Sequence, residues 1–305
     1  MSIESDKGFF AAKKIVNWEI GDKIENTAET AYRISVGYDD DMSWADKFHK
    51  FLNDENSRQL EALVVGGWGE MSTGTASTEV VDAIVAASDR LPKLNAIFVA
   101  EVTYEECEIS WIVQSDLSPL LLAFPALTHF GARGGAELSL GALRHEKLES
   151  LCIETGGLDR RVLQQIAKSS LPNLKHLEIW LGTTDYGANF AIQDIEPIVQ
   201  ASKFPKLEYL GLRDSDMADA IAELLAKSDI IKQIRVLDLS LGTLGDEGAE
   251  HLLNCPKITQ LKKLDIHYHY CSDAIVNKLK QLGIEIDATE GQGDEEEDRY
   301  VSVGE

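Results

Sequence analysis

Apolar residues recur along this 305-residue chain in a six-residue phrase, L-x-x-L-x-L. Its copies are "LEALVV" from Leu60, "LNAIFV" from Leu94, "LTHFGA" from Leu127, "LESLCI" from Leu148, "LKHLEI" from Leu174, "LEYLGL" from Leu207, "IRVLDL" from Ile234 and "LKKLDI" from Leu261. Successive copies lie 34, 33, 21, 26, 33, 27 and 27 residues apart. A weaker copy, "AYRISV" from Ala31, precedes the series, and "GIEIDA" from Gly283 follows it. Positions four and six of each phrase are apolar while three, five and seven are free, which is the alternation of a strand with one buried face. The intervening stretches "EVVDAIVAA", "RRVLQQIAKS", "IEPIVQAS", "DAIAELLAKS", "DEGAEHLLN" and "DAIVNKLKQL" predict helices. Proline punctuates several returns to the next strand ("RLPKL", "AFPAL", "SLPNL", "KFPKL", "NCPKI"), because it cannot continue a helix. One strand and one helix per unit, always in that order, predict an α/β repeat with a parallel sheet and helices on one side only.

The phrase with its following helix resembles the leucine-rich repeat, and "LGTLGDEGAEHLL" (241–253) is similar to the ribonuclease-inhibitor-like subclass. "YEECEISWIVQSDLSPLL" (104–121) and "LEIWLGTTDYG" (177–187) resemble uncharacterised bacterial cytosolic leucine-rich-repeat proteins, as does the closing "DRYVSVGE". The resemblance implies a right-handed solenoid, or horseshoe, with the parallel sheet on its concave face, helices on its convex face and a role in binding; it implies no catalytic residues. On this basis residues 1–30 are an N-terminal cap, 31–287 a solenoid of about ten strand–helix units, and 288–305 an acidic tail whose "RYVSV" is a candidate to fold back as a short strand. Position nine departs from the usual Asn or Cys, holding Gly156, Gly182 and Gly242 in three units and Trp68 and His269 elsewhere. Glycine there is expected to supply a tight turn through positive φ.

If helices cover one face, the odd positions of the phrases face outward on the other. Arg33 is assigned to position three, Ser35 and Glu285 to position five, and Gly37 and Asp287 to position seven. Early units present small and apolar groups with Phe98; the middle and late units present His176, Glu178, Trp180, Tyr209, Arg213, Asp238, Asp265 and His267. Strands about 4.8 Å apart make these one neighbourhood. Trp, Tyr and Arg dominate binding energy where a partner buries them, so these eight residues are the expected partner-binding surface. The competing reading is that an insertion or the C-terminal tail covers the aromatics. On this assignment Leu237→Ala removes a buried side chain, whereas Asp238→Ala, one residue along, is near-neutral.

Charge narrows the partner. With 29 basic and 52 acidic residues the net charge is −23, which repels phosphate backbones and disfavours nucleic acid; a cytosolic protein is the expected partner. The opening residues contain no signal-peptide-like apolar run, and no stretch reaches the roughly 18 apolar residues of a membrane span. Cys107, Cys152, Cys255 and Cys271 are scattered without a C-x-x-C pair, as in a reduced cytoplasmic protein.

Little remains that points to chemistry. In "HYHYC" (267–271), His267 falls on the open face beside Asp265, and with Asp238 the two form a partial oxygen/nitrogen ligand set. That set supports a second reading, a metal-dependent hydrolase on the late units. No ligand spacing recurs elsewhere, however, and solvated strand-end histidines are the simpler expectation. His145 and Glu146 in "RHEKLE" are expected in a solvent-facing turn. "GARGG" (131–135) lacks both phosphate-loop patterns. Cys152 is expected on the open face, where a single thiol in no recognisable motif is a weak nucleophile candidate, and Cys107 and Trp111 in the long insertion are expected to pack or to shape a rim. The expectation is a non-catalytic interaction scaffold with no cofactor.

Overall fold

The computed structural model describes residues 8–293 and 299–304. The acidic run 294–298, assigned above to the tail, lies outside the described residues, as do 1–7 and 305.

The alternating phrases form strands that pair in chain order. Two strands precede the first phrase, β1 (Phe9–Phe10) and β2 (Lys13–Asn17), in the segment expected to be a cap. Ten follow: β3 (Thr30–Val36), β4 (Ala62–Trp68), β5 (Ala96–Val99), β6 (His129–Arg133), β7 (Ser150–Glu154), β8 (His176–Gly182), β9 (Tyr209–Ser215), β10 (Val236–Asp238), β11 (Lys263–Asp265) and β12 (Glu285–Asp287). They make a single sheet in the order β1 to β12, antiparallel between β1 and β2 and parallel thereafter. Position two of one unit accepts from the next in a continuous chain, as in Lys175 N–H to Glu149 O (2.8 Å), Glu208 N–H to Lys175 O (2.8 Å) and Arg235 N–H to Glu208 O (2.7 Å).

Among the described residues eight α-helices lie between strands: α1 (Trp44–Phe51), α2 (Thr78–Ala86), α3 (Ser118–Ala123), α4 (Arg160–Lys168), α5 (Ile192–Ile195), α6 (Ala218–Lys227), α7 (Asp246–Leu253) and α8 (Asp273–Leu279). "IEPIVQAS" is not the predicted helix. α5 ends as the segment begins, because Pro197 has no N–H to continue the helical hydrogen-bond ladder; Ile198 and Val199 are nevertheless buried. Ser272 caps α8, its Oγ accepting the Ile275 N–H.

The core is divided by the sheet. Even-position residues such as Leu63, Val65, Leu177, Ile179, Leu237 and Leu264 share one apolar cluster with Val80, Ile84, Val162, Ile221 and Leu252 of the helices. A separate cluster on the other face, Ala31, Ala62, Val64, Ala96 and Phe98 with Phe10, Ala11 and Ile15, contains no α-helical residue. The repeats therefore stack into a leucine-rich-repeat-like sheet whose α-helical core contributions lie on one side. No helix of the described residues is long and apolar enough to cross a membrane.

The two degenerate phrases are each out of register by two residues from the assignment above. Ala31, not Arg33, pairs with Ala62, so Tyr32 and Ile34 fill positions four and six and Arg33 stands at position five. At the other end Glu285 pairs with Lys263 and Asp287 with Asp265, which places them at positions three and five. A shift of two preserves inside–outside parity and is therefore invisible to an alternation argument.

The position-nine glycines also do something other than expected. Only Gly182 has positive φ (66°), while the left-handed residue at the turn is position eight: Gly134, Asp214, Leu241 and Tyr268. Close approach is the constraint: a Cβ on Gly182 would lie 1.9 Å from the Gly156 carbonyl oxygen, and one on Gly242 would lie 2.7 Å from that of Ser215.

Candidate functional site

The early part of the second face is closed. Phe10, from the hairpin of β1 and β2, sets its ring edge-on to Phe98 at 5.7 Å, and Phe98 is buried. Arg33 donates from Nε to Glu101 (2.7 Å) and from a terminal nitrogen to Glu106 (2.7 Å), binding the insertion after β5 across the sheet. Charge-assisted pairs of this kind are short and directional. The small and apolar early columns are therefore a covered packing layer.

From β8 onward the odd positions meet in polar networks, the first of them around Glu178 and Asp238. The His176 imidazole stacks on the Tyr209 ring, 3.9 Å between centroids and 9° apart. Tyr209 donates its hydroxyl to Asp238 Oδ2 (2.7 Å). Arg213 donates to Glu178 Oε1 (2.7 Å) and to Ser240 Oγ (2.9 Å), with Asp238 Oδ2 3.4 Å from its Nε. Trp180 donates Nε1–H to Glu178 Oε1 (2.8 Å), and the Arg213 guanidinium lies 5.2 Å from its ring centroid. Burial, with the neighbouring Glu178 and Asp238 carboxylates, pushes the Tyr209 hydroxyl well above its ordinary pKa. Burial would lower Arg213, but those same two carboxylates hold it firmly charged.

Asp265 and His267 make the second half of the surface. Asp265 Oδ1 lies 2.7 Å from His267 Nδ1, and Asp265 Oδ2 2.8 Å from Lys263 Nζ. Burial opposes ionisation of Asp265, yet hydrogen bonds from His267 and Lys263 keep its pKa below the usual carboxylate range. The hydrogen bond to Asp265 raises His267 in turn. All eight expected residues thus lie on the face opposite the α-helices, in two hydrogen-bonded groups, one around Glu178 and Asp238 and one around Asp265.

Their exposure is unequal. His176, with a 36% exposed side chain, and the half-buried Tyr209, Lys263 and His267 can be reached. Trp180 is only 6% exposed and clusters with Ile109, Leu241, Tyr268 and Val303, so it is not the bare anchor expected. Ile109 comes from the insertion and Val303 from the C-terminal tail; both proposed covers are present. The tail does fold back, though without forming a strand. Asp238 and Asp265 are also buried, their carboxylates consumed within the network.

The acid–histidine cluster differs from the expected one. Among the described residues, ligand-bearing atoms of Asp265, His267 and Asp287 lie within 4.8 Å of one another, as do those of Cys152, Glu154 and Glu178; Asp238 joins neither group. Lys263 Nζ already sits 2.8 Å from Asp265 and 3.4 Å from Asp287 and balances their charge. Glu154 is fully buried against Arg133 at 2.8 Å. His269 is not solvated: it is buried, accepts the Cys271 N–H at Nδ1 (3.0 Å), and burial lowers its pKa. His145 is likewise buried, with Nε2 3.2 Å from Phe124 O, rather than in an exposed turn. All four cysteines are free thiols, and burial pushes Cys107 to about 11 and Cys271 to about 12. Trp111 projects outward at 51% exposure.

Sequence reasoning missed Ser240, which joins the Arg213–Asp238 group, and Lys263, which joins Asp265 and Asp287, although both stood in its odd columns. It also missed Phe10 and Arg33 as covers, because neither long-range contact leaves a periodic signal.

No protein-family model and no curated protein matches the chain. Among solved structures, a protein of Bacteroides fragilis is 32% identical over 90% of this chain and 77% of its own, with a TM-score of 0.83. An internalin of Listeria monocytogenes is 18% identical, covering 76% of this chain and 55% of its own, with a TM-score of 0.40. The TLR13–ssRNA13 complex gives 14% identity, 80% and 33% coverage, and a TM-score of 0.37. At those last two scores the likeness is too loose to carry fold or function across.

Proposed function

The chain belongs to the family of the Bacteroides fragilis protein, and from the repeat architecture we propose that it is a non-catalytic scaffold that binds a cytoplasmic protein on the uncovered later part of its sheet. The observation that carries this reading is the His176–Tyr209 stack. Its rings are held flat by partners behind them, with Asp238 on the Tyr209 hydroxyl and Glu178 Oε2 3.3 Å from His176 Nε2. A preset aromatic platform loses little side-chain entropy when a partner covers it. In this reading the solenoid is a horseshoe of the ribonuclease-inhibitor-like subclass, its sheet lining the concave side. Four free thiols suit a reducing compartment, and the net charge of −23 favours a protein partner over a nucleic acid.

The test is parallel affinity capture with the wild-type chain and with His176→Ala, Tyr209→Ala and Lys263→Ala, each checked for folding. A partner identified by mass spectrometry should be retained by the wild type and weakened at least tenfold by two of the three substitutions. Equal capture by all four proteins would place the partner elsewhere on the molecule.

A further inference from the structure

The C-terminal segment 299–304 lies across the turns at the ends of the strands as a bound peptide would. It runs from the later repeats back toward the earlier ones, meeting Gly245 at Arg299, Leu241 at Ser302, Asp214 at Val303 and Gly156 at Gly304. Much of its attachment is made by backbone. Ser302 donates its N–H to Leu241 O (2.8 Å), and Val303 donates its N–H to Asp214 Oδ1 (3.0 Å). The Tyr270 hydroxyl accepts from Tyr300 N–H (2.9 Å) and donates to Tyr300 O (3.1 Å).

Two side chains anchor it. The Arg299 guanidinium lies 3.3 Å from Asp219 and 5.8 Å from the Tyr270 ring centroid. Val303 joins the apolar cluster of Ile109, Trp180 and Leu241. The Tyr300 side chain between them points outward, 67% exposed. A notch receives the end of the segment: a Cβ on Gly156 would lie 2.6 Å from Gly304 O, and one on Gly304 would lie 2.6 Å from the Tyr186 ring. Asp214 forms part of the receiving surface; it is wholly buried in the left-handed conformation, and its Oδ2 has no hydrogen-bond partner among the described residues.

We propose that these strand-end turns form a peptide-binding groove, that residues 299–304 are its resident occupant, and that the groove accepts an extended segment of a partner protein carrying a basic residue, a β-branched apolar residue four positions later and then glycine. Backbone hydrogen bonds supply the general grip and alternate side chains the selection, as in other modes of extended-peptide capture. Because the resident segment must leave first, it lowers the apparent affinity of any incoming peptide by the fraction of time it is seated. This groove lies at the strand ends, apart from the His176–Tyr209 platform, and does not depend on that platform binding anything.

The experiment titrates a fluorescein-labelled peptide of sequence DRYVSVGE into the full-length chain and into its Ser302→Pro and Val303→Glu variants, with circular dichroism as the check on folding. Ser302→Pro deletes the donor to Leu241, and Val303→Glu sets a carboxylate beside Asp214. Both variants should bind the peptide at least tenfold more tightly than wild type, and a peptide with glutamate at the arginine and second valine positions should not bind. Acrylamide quenching of Trp180, taken as the difference from the matching Trp180→Phe protein, should rise in the variants and fall when peptide is added. Equal binding by all proteins, or unchanged Trp180 quenching, overturns the proposal, as does exchange of the 299–304 segment between chains to form dimers without peptide capture. Should the variants fail to fold, hydrogen exchange on the wild type decides. The Ser302 and Val303 amides should exchange at least a hundredfold faster than that of Leu237, and equal protection overturns the proposal.

Discussion

The imidazole of His176 lies flat on the phenol of Tyr209, 3.9 Å away, while Asp238 holds the Tyr209 hydroxyl from the next strand at 2.7 Å. Tyr209→Phe keeps the stack and deletes the hydroxyl. It should cost about 1 kcal/mol of unfolding free energy in urea denaturation. His176→Ala, at a half-exposed position, should change stability by less than about 1 kcal/mol.

Leu237 and Asp238 separate the two faces of one strand. Leu237 is fully buried among the helix-side residues, and Leu237→Ala should cost about 2–5 kcal/mol. Asp238→Ala is not the near-neutral change that alternation suggests. It removes the short acceptor of the Tyr209 hydroxyl and a carboxylate 3.4 Å from Arg213 Nε, for a cost of about 1–3 kcal/mol. Thermal or chemical denaturation of the two variants checks both.

Trp180 belongs to the fold rather than to an exposed anchor set. It is buried against the insertion and the tail and supports Glu178 and Arg213. Trp180→Ala should therefore destabilise by about 3–5 kcal/mol, with a matching fall in the denaturation midpoint. A stability change under 1 kcal/mol would contradict this packing role.

Burial raises the Asp214 carboxyl well above its ordinary pKa. The folded state thus holds its proton more tightly than the unfolded state, so the stability linked to this group is full below about pH 4. It is lost as pH rises toward the folded value. Asp214→Asn retains an acceptor for the Val303 N–H and tolerates positive φ. It should stabilise the chain by about 1–2 kcal/mol at neutral pH, and the gain should vanish in acid; urea titrations across pH measure it.

The Asp265–His267 pair carries linkage of both signs. His267 is raised by its hydrogen bond to Asp265, so its stabilisation is present below its unfolded pKa and disappears as pH rises through the folded one. Asp265 is depressed, so its contribution is present above the ordinary carboxylate range and disappears as pH falls through the folded value. NMR titration should show the His267 transition moving down in Asp265→Asn.

The chain's own pattern determined the repeat, the strand–helix order, the side of each strand that enters the core and the clustering of eight odd-position residues. These follow from local alternation and from repetition, which a linear sequence displays directly. Tertiary structure alone decided which of those residues remain reachable. Phe10 reaches Phe98, Arg33 reaches Glu101, and Val303 reaches the cluster around Trp180 across separations that no periodicity records. It also decided the register of the first and last strands, where a shift of two residues keeps the same side chains facing inward. Parity is a property of the strand itself; cover and register are settled by what packs against it.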